Sequence, residues 1–341
     1  KAKKIKALNE QMKKQKEMKQ MLRFKIPLIL TALFDYITLL WSINEINKNE
    51  NGNLYNFGII LCMIMLQGTA FTTNHELNHK PSLFEKTIGT IGMAKSFYMH
   101  FLIEHNHGHH KNVATFEDPA SSRYNESLYE FFPRTIYGSY KSAWKIERKF
   151  CKEIYNNEFH WKNRMFYFTA LIFIVPYFFY LLFGLRGMIV HIIIGIGSII
   201  LLETINYIEH YGLQRKKLDD GSYENVNITH SWNAPHRISN YILFKLQRHS
   251  DHHENAMKPY QNLCTYDKSP LMPNGYSTCF LLAMFPKLWF GIMNPMVDFY
   301  KNGTPLNKDL SKELDKKLWK FIFGLNFNCF VFIMIQFYTI K

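Results

Sequence analysis

No C-x-x-C pair occurs among the five cysteines Cys62, Cys151, Cys264, Cys279 and Cys329. That absence excludes a disulfide framework, a cysteine-based zinc site and a four-cysteine iron module within the chain. The thiols read as free and mostly packed. Acidic residues are also scarce: 27 Asp and Glu face 41 Lys and Arg, for a formal charge of +14. Internal repeats, a linker and a signal peptide with a small-residue cleavage site are all missing, so the sequence reads as one unit. Nothing in it resembles a nucleic-acid module, and no nucleic-acid partner is expected.

Apolar residues are plentiful, at 47% of the 341 residues, yet the mean hydropathy is slightly negative. They must therefore be gathered into blocks. A helix crosses a bilayer with about 20 mostly apolar residues. Four segments meet that requirement: Ile26–Ile43 (with Asp35 inside), Leu54–Thr73, Phe166–Gly184 and Gly187–Ile208, with a fifth at Trp319–Ile340. Two further apolar stretches, Thr87–Ile103 and Ser277–Val297, are interrupted by Lys95, His100, Pro286 and Lys287 and read as in-plane or re-entrant helices. Residues 1–25 hold ten Lys/Arg against two Glu and read as a basic juxtamembrane segment facing lipid headgroups.

The short turns at Asn44–Asn53 and Leu185–Arg186 carry one basic residue each, while the N-terminus and the long polar stretches 74–165 and 209–276 carry most of the rest. By the positive-inside rule the long stretches lie on the cytoplasmic or matrix side. A bacterial inner membrane, a mitochondrial inner membrane or an endoplasmic reticulum satisfies this. The expected architecture is all-α: a polytopic membrane domain over 26–300, with about four core spans and a histidine-rich cap, then a C-terminal extension over 301–341 with an extra hydrophobic helix.

Nine of the fifteen histidines fall on the cap side in four groups: His75 and His79; His105, His109 and His110; His210; and His249, His252 and His253. His75/His79, His105/His109 and His249/His253 are i,i+4 pairs, which project from one face of an α-helix. Neutral imidazole ligates iron, copper, zinc or nickel, and one ion takes about four to six ligands. Nine imidazoles suit two ions. Glu76, Glu104, Glu209, Asp251 and Glu254 stand beside the ligands as candidate partners for their second ring nitrogens or as direct metal ligands; His230 and His236 are candidates to back the ligands or to anchor loops. Asp118 and Glu117 with Arg123, and Arg248 before His249, are expected to brace the ligand loops through carboxylate pairs. His191, alone in an apolar helix, reads as packed, His160 as a surface residue, and His107 as pointing away from His105.

"HELNH" at His75–His79 also satisfies the H-E-x-x-H zinc protease pattern with Glu76 as base. That reading needs one further ligand and leaves most of the other histidines without work.

The spacings H-x3-H, H-x3-HH and H-x2-HH resemble the three histidine boxes of membrane desaturases and hydroxylases. "NHELNHK", "EHNHGHHKNVATFEDPASSR", "NYIEHYGL", "HSWN" and "LQRHSDHH" are similar to the alkane 1-monooxygenase branch of that superfamily. The resemblance covers about residues 54–270. It implies a non-haem di-iron enzyme, with the nine histidines as ligands to two iron ions, that uses dioxygen to hydroxylate a terminal methyl of an alkyl chain. It also implies electrons from a separate donor such as rubredoxin. A related lipid desaturase or hydroxylase, or a metal-binding accessory subunit of a larger membrane complex, are the alternatives. Members of the branch usually carry about four spans ahead of the first box; 74 residues precede His75 here, room for two. The alkyl chain is expected to reach the cap from lipid between Leu54–Thr73 and Gly187–Ile208, with Tyr207, Trp232 and Phe166–Phe183 as either tunnel wall or packing.

Overall fold

A computed structural model describes residues 2–48, 50, 52–302 and 312–324, with 2–21 and 302 by backbone alone. Most of the expected span Trp319–Ile340 lies outside the described residues; 312–324 are helical. Regular structure among the described residues is helical, and β-type pairing is confined to isolated bridges at Lys217–Tyr223 and Asn233–Leu271. In chain order the elements are α1 (Ala2–Lys48), α2 (Asn53–Asn78), α3 (Leu83–Ala94), α4 (Phe101–Glu104), a π-helical turn (His105–His109) and α5 (His110–Asn112). There follow α6 (Leu128–Tyr155), α7 (Arg164–His210), α8 (Arg237–Ile242), α9 (His249–Glu254), α10 (Tyr276–Ala283) and α11 (Pro286–Asn302).

Among the described residues, three helical stretches are long and apolar enough to cross a membrane: Leu22–Lys48, Asn53–Asn78 and Arg164–His210. The last has 47 residues and would span about 70 Å if straight, over twice a hydrocarbon core about 30 Å thick. It is not straight. Gly184 takes φ +68° and ψ −170°, a left-handed φ that glycine adopts without a Cβ clash. The Phe179 ring stacks on His191 with centroids 3.8 Å apart, although these positions lie about 18 Å apart along a continuous helix. α7 is therefore a hairpin, made of the two spans expected from the sequence.

The chain divides into two compact units. Unit one comprises residues 1–102, 147–202 and 259–262; unit two comprises 103–146, 203–258 and 263–341.

Unit one is built on the spans. Leu39, Ile43, Ile46, Met63, Phe179, Val190 and Ile194 form its core, while Leu30, Phe34, Ile37 and Trp41 stay exposed as a lipid-facing surface requires. Asp35 and Lys95, the two charges that interrupt apolar segments, are both buried and pair with each other. Lys95 also donates to the Gly92 carbonyl at 2.9 Å, and its own carbonyl accepts from His191 Nε2 at 2.8 Å. Each buried charge is thus compensated. Lys25 meets Glu85 at 3.2 Å, and Asp35 meets Lys95 ten residues further along both chains, about 15 Å on. α3 hence runs alongside α1, and the chain turns back at Phe97, φ +59°. The first part of the expected segment Thr87–Ile103 therefore lies against a span, where the Ile91 carbonyl also accepts from the Tyr36 hydroxyl.

α2 and the second arm of α7 are in close contact. A Cβ on Gly68 would lie 1.9 Å from Leu201 Cδ2, and one on Gly197 would lie 2.5 Å from Ile64 Cδ1. No alkyl chain fits between these helices at those levels, so the expected path between Leu54–Thr73 and Gly187–Ile208 is closed there by glycine-mediated packing.

Unit two has its own core, which includes Phe131, Tyr207, Tyr211, Trp232, Trp289, Ile292 and Met293. Tyr207 and Trp232 are packing residues. α10 and α11 are separated at Met284–Phe285, just ahead of Pro286, whose missing N–H costs nothing in the first turn of a helix.

Candidate metal centre

α9 starts where Asn233 clamps it: the Ser250 N–H donates to Asn233 Oδ1 at 3.0 Å, and Asn233 Nδ2 donates to Ser250 Oγ at 2.7 Å. One residue earlier, the Trp232 N–H donates to the Glu209 carbonyl and its indole Nε1 to the Tyr211 carbonyl, both at 2.8 Å. These carbonyls lie in the last turn of α7 and just past its end, where no helical partner exists. Ser231 Oγ lies 3.4 Å from His210 Nδ1. The strip Ser231–Asn233 thus stitches the end of α7 to the start of α9. It brings His210 Nε2 to 3.1 Å from His249 Nε2.

His253, one turn along α9, places its Nε2 3.0 Å from His249 Nε2. His109 completes this group: one ring nitrogen from each of His109, His210, His249 and His253 lies within 4.8 Å of the others, and all four residues are buried. His105, His110 and His252 form a second set in unit two, again with ring nitrogens within 4.8 Å of one another. Within it His105 Nε2 and His110 Nε2 are 3.0 Å apart. In unit one, His75 and His79 on the last turn of α2 hold their Nε2 atoms 3.1 Å apart.

The sorting of the middle histidines differs from the expected i,i+4 pairing of His105 with His109. On an α-helix, positions five apart diverge by about 140°. Here His105–His109 is a π-helical turn, and the His110 N–H bonds to the His105 carbonyl. The wider turn carries His110 round to the side of His105 and releases His109 to the other group. π-turns of this kind are rare and concentrate at functional sites. Gly108 permits it: a Cβ there would lie 2.5 Å from Glu104 Oε1 and 3.1 Å from Ile146 Cδ1. α9 divides its histidines likewise, His249 and His253 to the group of four and His252 to the set of three.

A carboxylate sets the tautomer of one ring in the group of four. Asp118 Oδ2 accepts from His109 Nδ1 at 2.8 Å and from Ser121 Oγ at 2.6 Å, which leaves the lone pair of His109 Nε2 aimed into the group. That buried Nε2 has no hydrogen-bond partner. Burial alone would lower the His109 pKa, but the charge and hydrogen bond of Asp118, with Glu104 and Glu209, outweigh it and hold the ring above its ordinary value. Burial would raise Asp118, yet His109 and the bonds from His109 and Ser121 hold it below the usual carboxylate range. Burial, and then repulsion from Asp118, lift Glu104 to about 8. His253 is pushed well down by burial and by its imidazole neighbours, which keeps it in the neutral form that ligates. Glu209 lies with Oε2 3.2 Å from His249 Nε2 and accepts from the buried Tyr276 hydroxyl. Burial and the Glu209 charge drive the Tyr276 phenol well above its ordinary pKa, so it is a donor.

The remaining sequence candidates lie elsewhere. Glu76 accepts from Lys80 and from the Tyr260 N–H, which occupies the base that the zinc-protease reading requires. Asp251 accepts from Lys258 at 2.7 Å, the Cys264 N–H at 2.6 Å and the Tyr266 hydroxyl at 3.2 Å, so it anchors the 258–266 loop on α9 instead of touching a ring. Arg123 is exposed over the Phe116 ring at 5.5 Å and makes no ion pair with Asp118 or Glu117. The work expected of it falls to Arg134, which forks onto both Glu126 oxygens at 2.6 and 2.7 Å and donates to the Pro119 and Ser121 carbonyls. Arg248 donates to the Leu263 carbonyl at 3.0 Å rather than to a carboxylate. His230 bonds Glu224 and the Asn227 N–H. His236 is exposed. His107 is exposed and His191 packed, as the sequence implied.

The residues fit a metal. Metal–imidazole bonds of about 2.0–2.1 Å at right angles separate two nitrogens by about 3 Å, and the Nε2–Nε2 distances repeat at 3.0 to 3.1 Å. Lone pairs gain nothing by facing each other, and a cation between them reverses that.

A membrane helical frame carrying buried imidazole groups of this kind defines a class of metal-dependent oxidoreductases, and comparison with known proteins agrees. The family model for fatty acid desaturases matches residues 53–282. Alkane 1-monooxygenase 2 of Pseudomonas aeruginosa is 41% identical over 247 residues, 72% of this chain and 66% of the relative. Alkane 1-monooxygenase 1 of the same organism is 40% identical over 268 residues, 78% and 70% of the two chains. The alkane 1-monooxygenase of Acinetobacter baylyi is 37% identical over 298 residues, 84% and 70%. The chain is an integral membrane oxidoreductase of the fatty acid desaturase family, and within it belongs to the alkane 1-monooxygenases.

Proposed function

We propose that this chain is a non-haem di-iron monooxygenase that hydroxylates the terminal methyl of an alkane or similar alkyl chain. Dioxygen is the co-substrate, and a separate protein such as rubredoxin supplies electrons. One oxygen atom enters a C–H bond, the other leaves as water, and two electrons and two protons are consumed. The observation that carries this reading is the sorting of seven imidazoles in unit two into a group of four and a set of three. His109, His210, His249 and His253 would hold one iron. His105, His110 and His252 would be ligands of the other, and His75 and His79 are proposed as iron ligands as well.

Once bound, the iron pair supplies the oxygen activation that side chains lack. The protein's own part is positional. Asp118 fixes the His109 tautomer, Tyr276 holds Glu209 beside His249, and the Ser231–Asn233 strip holds His210 against α9. Burial of the group of four excludes water. An alkyl chain offers no charge to recognise, so apolar membrane helices are the fitting source of its binding surface. The distribution of Lys and Arg supports a cytoplasmic or matrix location for the histidine face.

The test is metal analysis of the purified full chain, followed by assay of primary alcohol from an alkane with dioxygen and reduced rubredoxin. Two irons per chain and oxygen-dependent alcohol are expected. One zinc, or no bound metal, overturns the di-iron reading; two irons without alcohol from any alkane overturns the substrate.

A further inference from the structure

The corner between α6 and α7 carries a feature that the metal chemistry does not use. Arg164, the first residue of α7, bonds Glu147 through its backbone N–H at 3.1 Å and its guanidinium at 2.7 and 2.9 Å. Residues 148–163 are thereby held as a projection at the mouth of a span. Large apolar side chains stand exposed on it: Phe150, Ile154, Phe159 and Trp161, the last at 67%. Cations lie directly on these rings. The Arg148 guanidinium sits 4.7 Å from the Phe159 centroid, and Lys162 Nζ sits 5.5 Å from that of Trp161. Lys149 and Lys152 are exposed beside them. Glu158 takes part of the charge of Arg148 and Lys152, at 3.0 and 3.2 Å. Even so, residues 147–164 hold five Lys/Arg against three Glu.

We propose that this corner is a docking surface for the anionic headgroups of the bilayer. Aromatic rings with cations over them, at the first residue of an apolar span, match what a membrane–water boundary selects: rings at headgroup level and basic heads reaching to phosphate. The apolar face continues into the span through exposed Phe166 and Tyr167, a continuity that a lipid surface uses and a soluble acidic protein does not. The inference does not depend on which metal or substrate the protein uses.

Trp161 is the built-in reporter. The full chain and its W161F variant are placed in phosphatidylcholine nanodiscs containing a minor fraction of phosphatidylglycerol, with brominated chains on one lipid or the other at equal bromine. The Trp161 contribution is taken by difference. Each basic residue near an anionic surface favours it about fivefold, so brominated phosphatidylglycerol is expected to quench Trp161 at least fivefold more than its share of the lipid predicts. High salt, or the triple variant K149A/K152A/K162A, should remove the excess, and K149R/K152R/K162R should keep it. Quenching in simple proportion to lipid content, or an excess indifferent to salt, overturns the proposal, as does protection of Trp161 by an added acidic protein in place of lipid. The salt series on the unsubstituted chain decides the matter if the triple variant does not fold.

Discussion

The two histidine assemblies of unit two share the π-turn region and α9, with His210 of α7 added to the group of four, and they differ in support. In the group of four, His109 is backed by Asp118 and His249 is approached by Glu209, and all four residues are buried. In the set of three, His110 is half-buried, and unit two supplies three imidazoles where an iron takes about four to six ligands. The first is a closed nest that unit two completes by itself. The second is a more open face, to which unit two contributes three imidazoles. The lesson is that metal affinity need not be uniform across a two-ion centre: the buttressed half should load first and release last.

The strongest test of that asymmetry removes one ligand from each half. His249→Ala takes away a ring that meets two other imidazoles and should abolish alcohol formation, a loss beyond the roughly 10–100-fold that follows removal of an outer partner. His110→Ala should leave one tightly held iron per chain. Equal iron loss in both variants, read by metal analysis, would erase the distinction. Next in size is Asp118→Asn, which removes the charge that fixes His109 while keeping its shape; iron retention against a chelator should weaken about 10–100-fold. Smaller still is Gly108→Ala. Its methyl would meet Glu104 and Ile146, and overpacking of this kind costs about 1–3 kcal/mol, visible as a lower melting temperature in the metal-free chain.

How much of this was legible in the sequence depended on the range of the interaction. Spans and the Gly184 hairpin were legible because about twenty apolar residues and a short break are local signals. The pairs His75/His79 and His249/His253 were legible because α-helical spacing holds at both. His105/His109 was misread, since one extra residue in a π-turn alters every partner and leaves no mark in composition. The Asp35–Lys95 pair was invisible because its members lie sixty positions apart in segments that each look flawed alone. Asp118 was legible as a residue of the site, but the brace of its loop was not: proximity in sequence favours Arg123, whereas Arg134, eleven residues further on in α6, is the residue that bonds Glu126 and the Pro119 and Ser121 carbonyls, and Asp118 itself bonds His109 and Ser121.

That last mistake gives the smallest and cleanest test. Arg134 holds the loop after the π-turn at three points, the Glu126 carboxylate and the Pro119 and Ser121 carbonyls, and Ser121 in turn bonds Asp118. Arg134→Met keeps the aliphatic stem and deletes the fork. Hydrogen bonds to charged groups are worth about 1.5–3 kcal/mol when buried; partial exposure here lowers the expected cost to about 1–2 kcal/mol. Arg123→Met loses one exposed contact with Phe116 and should change stability by less than about 0.5 kcal/mol. Chemical denaturation of the two variants in one detergent supplies the comparison. If Arg123→Met proves the costlier change, the loop is braced differently from the way described here, and the route by which Asp118 is held to His109 must be redrawn with it.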